Sequence, residues 1–176
     1  MGFERIGSKE IWSGQIATVR IDTIRHDDGE EVEREVVAHP GAVAIVAHDG
    51  ERVYLVAQPR EAVGEERLLE LPAGKLEDGE DVLATAKREL AEEIGKAAEK
   101  WKRLTSFYSS PGFADEEVHV YLATDLSDAE GEAEEEERIE VEAIPLAELD
   151  GAIRRCRDGK TLVGLLWARA FEGLGG

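Results

Sequence analysis

Residues 74–96 read GKLEDGEDVLATAKRELAEEIGK, and this stretch decides the fold. Leu83, Ala86, Leu90 and Ile94 recur at steps of three and four, the spacing that lines one face of an α-helix. A helix over 81–94 is therefore expected, with Gly95 at its C-terminal end. At about 100° per residue, Glu89 and Glu93 sit one turn apart beside the apolar stripe, with Glu92 a little further round. Three carboxylates so close repel one another unless cations sit among them. Arg88 stands at i, i+4 to Glu92 and neutralises one. The remaining pair makes an oxygen site suited to a hard divalent ion such as Mg2+ or Mn2+. Most acidic helix faces are simply solvated. The context argues otherwise here: a glycine-bearing loop, then Glu80, then Arg88-Glu89, then Glu92-Glu93, then Gly95.

Upstream, residues 10–37 alternate as β segments. IWSGQIATVRIDTI (11–24) reads as one strand and EVEREVVAH (31–39) as another, joined by the turn-forming HDDGE. GAVAIVA (41–47) and RVYLVAQ (52–58) flank Asp49-Gly50, a strong hairpin signal. Residues 68–71 form a short apolar stretch closed by Pro72-Ala73-Gly74. Downstream, strands are expected over 102–109, 118–123 and 139–143. A last helical region starts near Leu146, carries LVGLLWARAF and breaks near Asp158-Gly159. Strands and helices alternate without a regular βαβ period. That pattern predicts an α+β fold, an α/β/α sandwich whose mixed β-sheet is flanked by helices, preceded by an N-terminal antiparallel β arm.

Composition narrows the function. The 176 residues suit a single core of ordinary domain size, and 42% are hydrophobic. Lys and Arg number 21 against 40 Asp and Glu, a net charge of −19. A nucleic-acid-binding face needs cations, so that class is excluded. Three Trp, three Tyr and four Phe are too few for a stacking surface. Cys156 is the only cysteine, so no intrachain disulfide can form; a passive helical position in a reducing compartment is expected. The opening MGFERIGSKE is charged and lacks the apolar run of a secretion signal, and Ile6 stands where a myristoylation motif carries Ser or Thr. The apolar runs 42–47 and 162–168 are too short to cross a bilayer. A cytoplasmic location without membrane association is expected.

Several other patterns fail. Asp158-Gly159-Lys160-Thr161 ends like a phosphate-binding loop, but Arg154 occupies the position of that loop's first glycine. His26, His39, His48 and His119 have no zinc-ligand spacing, and no Gly-x-Ser-x-Gly is present.

The 74–96 segment resembles the Nudix box: Gly, five residues, Glu, seven residues, then Arg-Glu-apolar-x-Glu-Glu-x-Gly-apolar. Gly74, Glu80, Arg88, Glu89, Leu90, Glu92, Glu93 and Gly95 meet its fixed positions, and only Lys96 departs, standing where an apolar residue is usual. Pro111 within SSPGFADE, together with LLELPAGKLEDGE, Gln58-Pro59-Arg60 and GKTLVGLLWA, is similar to the ADP-ribose pyrophosphatase subfamily. The resemblance implies Mg2+-dependent (or Mn2+-dependent) hydrolysis of ADP-ribose to AMP and ribose 5-phosphate, with two or three ions bound. It implies that Glu89, Glu93, the Ala73 carbonyl and the assisting Glu92 hold the metal, and that Gly74, Glu80, Arg88 and Gly95 are structural. An N-terminal arm (1–38) on a Nudix hydrolase domain (39–176), and a homodimer built through that arm, are implied likewise. The electrostatics agree. A diphosphate carries about two negative charges, and two like charges in contact cost about 1 kcal/mol even in water, so cations must come between it and the carboxylates.

In the subfamily a glutamate just before an I-x-V strand acts as the catalytic base. Ile139-Glu140-Val141 selects Glu137 for that role, with Glu135 second. Arg34 and Arg60 resemble the subfamily's arginines near the adenine and the diphosphate, and Gly112, Phe113 and Glu116 its ribose-side residues. Gln15 stands where an aromatic faces the adenine, which leaves Trp12, Arg34 or a relaxed adenine preference as alternatives. The rival readings are another substrate for the same chemistry (a GDP-sugar, NADH or an oxidised nucleotide) and a non-catalytic nucleotide binder.

Overall fold

The computed structural model describes residues 2–77, 79–130 and 138–175. The chain divides into two compact units, Met1–Gly41 with Tyr108–Glu117, and Ala42–Phe107 with Val118–Gly176. In the first, β1 (Phe3–Ser13), β2 (Thr18–His26) and β3 (Glu31–Ala38) form an antiparallel sheet in that order. The single strand expected over 11–24 is in fact two. The Gly14 N–H donates to the Ala17 carbonyl at 3.0 Å, and Ser13 pairs with Thr18 across the turn. The Trp12 ring folds over Gly14, where a Cβ would fall 2.1 Å from the ring. The segment 108–117 returns to β3, where the Val37 N–H donates to the Phe113 carbonyl at 2.7 Å.

Among the described residues the second unit is built on a mixed sheet of order β10-β5-β4-β9-β8, with β6 added to β5 and β7 to β4. Its strands are β4 (Ala42–His48), β5 (Arg52–Arg60), β6 (Glu65–Glu70), β7 (Ala73–Lys75), β8 (Lys96–Tyr108), β9 (Glu117–Asp128) and β10 (Glu140–Pro145). β4 runs antiparallel to β5 and parallel to β9. The Asp49-Gly50 hairpin forms as expected, with Gly50 at φ 92.

Two cores follow from the period-two alternation of β4. Val43, Ile45 and Ala47 pack with Ala86, Leu90 and Ile94 of helix α1 (Val82–Ile94). Ala44 and Val46 face the opposite way, into a core shared with Leu149 and Ala152 of α2 (Leu149–Arg155) and Leu165 and Ala168 of α3 (Gly159–Glu172). The sheet is thus sandwiched between helices, as expected. Each fully buried Leu contributes about 1.5–3 kcal/mol, so the stripe read from 81–94 is what docks α1. The Asp81 carboxylate caps α1 by accepting from the Leu83 and Ala84 N–H groups, both at 3.1 Å. Gly95 ends it in the left-handed conformation at φ 64.

Two local expectations are corrected. β8 begins at Lys96, directly after the helix, rather than near residue 102: pairing with β9 overrides the weak β preference of the Lys-Ala-Ala-Glu run. Cys156 is not inside a helix; its extended backbone (ψ 137) terminates α2, and it is buried. No helix of the described residues is long and apolar enough to cross a membrane.

Candidate active site

The acidic turn of α1 faces the short strand β7. The Ala73 N–H donates to Glu93 Oε2 at 2.9 Å, which ties the last acid of the turn to the chain just before the helix loop. Glu93 is 7% exposed, low for a carboxylate that keeps its function in water. Gly74 is glycine because the Glu89 carboxyl lies against its backbone: a Cβ there would fall 1.9 Å from Glu89 Cδ. Arg88 is the hub of the remaining acids. Its Nη1 lies 2.8 Å from Glu89 Oε1 and 2.8 Å from Glu92 Oε2, and its other nitrogens reach the Glu80 carboxylate at 3.4 Å. Burial would lower the Arg88 pKa, but the Glu80 hydrogen bond and the charges of Glu89 and Glu92 outweigh it and raise the value. The box positions Gly74, Glu80, Arg88, Glu89, Glu92 and Glu93 are therefore brought together, with Gly95 closing the helix behind them.

The donor set suits a hard divalent cation: carboxylate oxygens, with a backbone carbonyl adjacent at Ala73. Among the described residues no three His, Cys, Asp or Glu side chains converge as a ready-made cage. The reason is local: Arg88 holds Glu89 and Glu92, while the Ala73 amide holds Glu93. Lys96, the one departure from the box pattern, places its ammonium 5.8 Å from the centre of the Tyr54 ring and pairs with Asp128.

The other expected site residues are divided between the units. Arg34, Gly112 and Phe113 line one cavity of about 400 Å³ in the first unit, beside Arg20 and Asp22. Arg34 is exposed and donates to the Glu33 carbonyl at 2.9 Å. Glu116 is not on that cavity; it lies 3.5 Å from His39 Nδ1. Arg60, in the second unit, grips Glu70 along one edge of its guanidinium, Nε to Oε1 at 2.6 Å and Nη2 to Oε2 at 2.9 Å. Glu137 and Glu135 lie outside the described residues.

Two groups went unread in the sequence. Arg20 bridges the nearly buried Asp22 and Asp115 (Nη2 to Oδ2, 2.9 Å) inside the first unit's cavity. In the second unit Lys160 Nζ joins Glu70 at 2.6 Å and Asp158 at 3.0 Å. The signal for the second was an isolated Glu within Leu-Leu-Glu-Leu-Pro, a charge amid apolar neighbours. The segment Asp158-Gly159-Lys160-Thr161, which only imitates a phosphate loop, is the start of α3: the Asp158 carboxylate accepts from the Thr161 N–H at 3.0 Å.

The Nudix domain model matches residues 38–161. The chain is 40% identical over 175 residues to a methanol dehydrogenase activator of Bacillus methanolicus, covering 96% of this chain and 94% of that one. It is 39% identical over 174 residues to an ADP-ribose pyrophosphatase of Bacillus subtilis, with the same 96% and 94% coverage. An ADP-ribose pyrophosphatase of Mycobacterium tuberculosis is 48% identical over 126 residues, 70% of this chain and 60% of that one. A solved structure described as an ADP compounds hydrolase superposes with a TM-score of 0.85 at 21% identity, covering 98% of this chain and 95% of its own. The box geometry, the sandwich around it and the span of the match agree, and the chain belongs to the Nudix family.

Proposed function

We propose that this chain hydrolyses the pyrophosphate bond of ADP-ribose, giving AMP and ribose 5-phosphate. The observation that carries the reading is the fit of the Glu89 carboxyl against Gly74 beside the Ala73–Glu93 hydrogen bond. That arrangement brings the Glu89 and Glu93 carboxylates of one helical turn against the Ala73-Gly74 backbone. The full-length similarity to the B. subtilis enzyme selects the substrate. Glu89 and Glu93, with the Ala73 carbonyl and Glu92, would hold Mg2+ or Mn2+, two or three ions in all. When bound there, a divalent cation neutralises the diphosphate and acidifies a water.

The chain's own groups do the rest. Arg88 and Glu80 orient the acid turn, and Gly95 lets the chain leave it. Arg60 offers the donors not taken by Glu70 to the diphosphate. Glu137, with Glu135 as second choice, takes the proton from the attacking water as its oxygen bonds to phosphorus and the bridging oxygen leaves with one product. Arg34, Gly112, Phe113 and Glu116 contact the nucleoside and ribose ends.

The same reading makes 1–38 an arm, 39–176 the hydrolase domain, and the assembly a cytoplasmic homodimer. Phe3, Ile11, Trp12 and Ile16 leave large apolar side chains exposed on the arm, which favours burial against a second copy. Incubation with ADP-ribose and Mg2+ should yield AMP and ribose 5-phosphate in equal amounts, and excess chelator should abolish both. Preferential cleavage of a GDP-sugar, NADH or an oxidised nucleotide would displace the substrate assignment, and ADP-ribose binding without products would displace hydrolysis. The equally long similarity to the methanol dehydrogenase activator supports a second reading, in which the same hydrolytic site serves a dehydrogenase. A chain-dependent change in methanol dehydrogenase rate would support it.

A further inference from the structure

Glu70 is the most deeply buried acidic side chain among the described residues, 1% exposed, and the reaction as proposed gives it no task. Burial alone would raise its pKa; the Arg60 hydrogen bonds and the Lys160 charge hold it below the ordinary carboxylate range. Its cluster is electrically balanced, with Arg60 and Lys160 against Glu70 and Asp158. It is also closed on one side. The Leu71 N–H donates to Thr161 Oγ1 at 2.7 Å, and that hydroxyl donates to Asp158 at 2.7 Å. Replacing a buried ion pair by apolar groups is often neutral or stabilising, so four ionised side chains are poorly explained by stability alone.

The open side is Arg60. Its side chain is 42% exposed, and Glu70 engages Nε and one hydrogen of Nη2. Among the described residues no other partner engages the remaining three of the five guanidinium N–H groups. Arg60 is also close enough to the acid turn for the charge of Glu93 to act on it. We propose that Glu70 is a positioning residue for Arg60, fixing one edge of the guanidinium so that the other edge receives an anionic group of the substrate. This rests on the ADP-ribose reading above. A planar fork held at one edge by a rigid carboxylate loses little further freedom when an anion docks, which is where its contribution to binding arises.

The test is steady-state kinetics with ADP-ribose and Mg2+ on the wild type, Glu70→Asp, Glu70→Gln, Arg60→Ala and Arg60→Ala/Glu70→Asp, with melting curves for each. Glu70→Gln leaves Lys160 uncompensated and can fail to fold. Glu70→Asp keeps the charge but withdraws the carboxylate by one methylene, so it carries the argument. Glu70→Asp should raise KM about tenfold, the effect of one charge-assisted hydrogen bond, with kcat within about twofold. In the Arg60→Ala background the same change should do nothing further to KM. An unmoved KM in Glu70→Asp, or a KM effect that multiplies that of Arg60→Ala, overturns the positioning role. A wild type that leaves ADP-ribose intact defeats both readings, whereas an active wild type with an indifferent Glu70→Asp defeats this one alone.

Discussion

Two carboxylate–guanidinium clusters lie in the same unit and behave as opposites. Around Arg88, one guanidinium is shared by Glu80, Glu89 and Glu92, with Glu93 close by on a backbone amide. Around Glu70, two acids meet two cations and the central carboxylate is sealed from water. The first sets three carboxylates against one guanidinium; the second is balanced, its central carboxylate sealed while Arg60 stays open to water on one side. Excess charge at an accessible turn is what a divalent cation needs, whereas balance in a sealed pocket fixes geometry. On the proposed reading, stoichiometry and burial sort identical residue types into metal binding and positioning.

The largest effect expected from breaking this contrast is at Glu93. Glu93→Gln keeps an acceptor for the Ala73 amide but removes the charge, so turnover should fall by about a hundredfold or more while the melting curve holds. A fully active variant with an unchanged fold would undo the contrast. Gly74→Ala probes the same turn by shape. Its Cβ overlaps the Glu89 carboxyl at 1.9 Å, but the atoms met are the end of a flexible side chain. Activity should drop at least about tenfold, with about 1 kcal/mol or less lost in stability by denaturant titration. Equal losses in both would mean that Gly74 serves packing instead.

The two helix caps differ in the same way, with smaller effects. Asp81 caps α1 at the surface, whereas Asp158 caps α3 and also holds Lys160 and the Thr161 hydroxyl. Asp81→Ala should cost about 1 kcal/mol, and Asp158→Ala about 2–3 kcal/mol, because it strips a partner from a buried network. Equal costs would show that the Glu70 network does not act as a unit. The mildest effect is on acid stability. The Glu70 carboxyl is held below its ordinary value of 4.5, so its stabilisation is fully present above that pH and is lost as the pH falls through the folded value. The melting temperature should hold down to about pH 4.5 and decline below it, and the decline should be shallower in Glu70→Gln. An identical decline in both proteins would remove Glu70 from the account.

The sequence made one cluster legible and hid the other for a physical reason. Arg88, Glu89, Glu92 and Glu93 lie within two turns of one helix, so periodicity alone places them side by side. Arg60 and Lys160 reach Glu70 across separations of 10 and 90 residues, which no local pattern encodes. The same distinction explains the smaller misses. The turn at Gly14 sits inside a run of β-forming residues, and it is closed by a backbone hydrogen bond to Ala17 that no side-chain pattern announces. The early start of β8 is imposed by β9, a partner that local propensity cannot register. Lys96 was legible as a departure from the box pattern but not as a cation over Tyr54. The hairpin at Asp49-Gly50 and the layers on either side of β4 were readable because turn chemistry and period-two alternation are written residue by residue.

The proposed function stands or falls on whether Glu89 and Glu93 of α1 hold a divalent cation. The most direct measurement is a Mn2+ titration followed by electron paramagnetic resonance on the wild type and on Glu89→Gln/Glu93→Gln. The wild type should remove Mn2+ from the free-ion signal to saturation, and the double variant should bind at least about tenfold more weakly with its fold retained. Equal binding by the two proteins would contradict the claim.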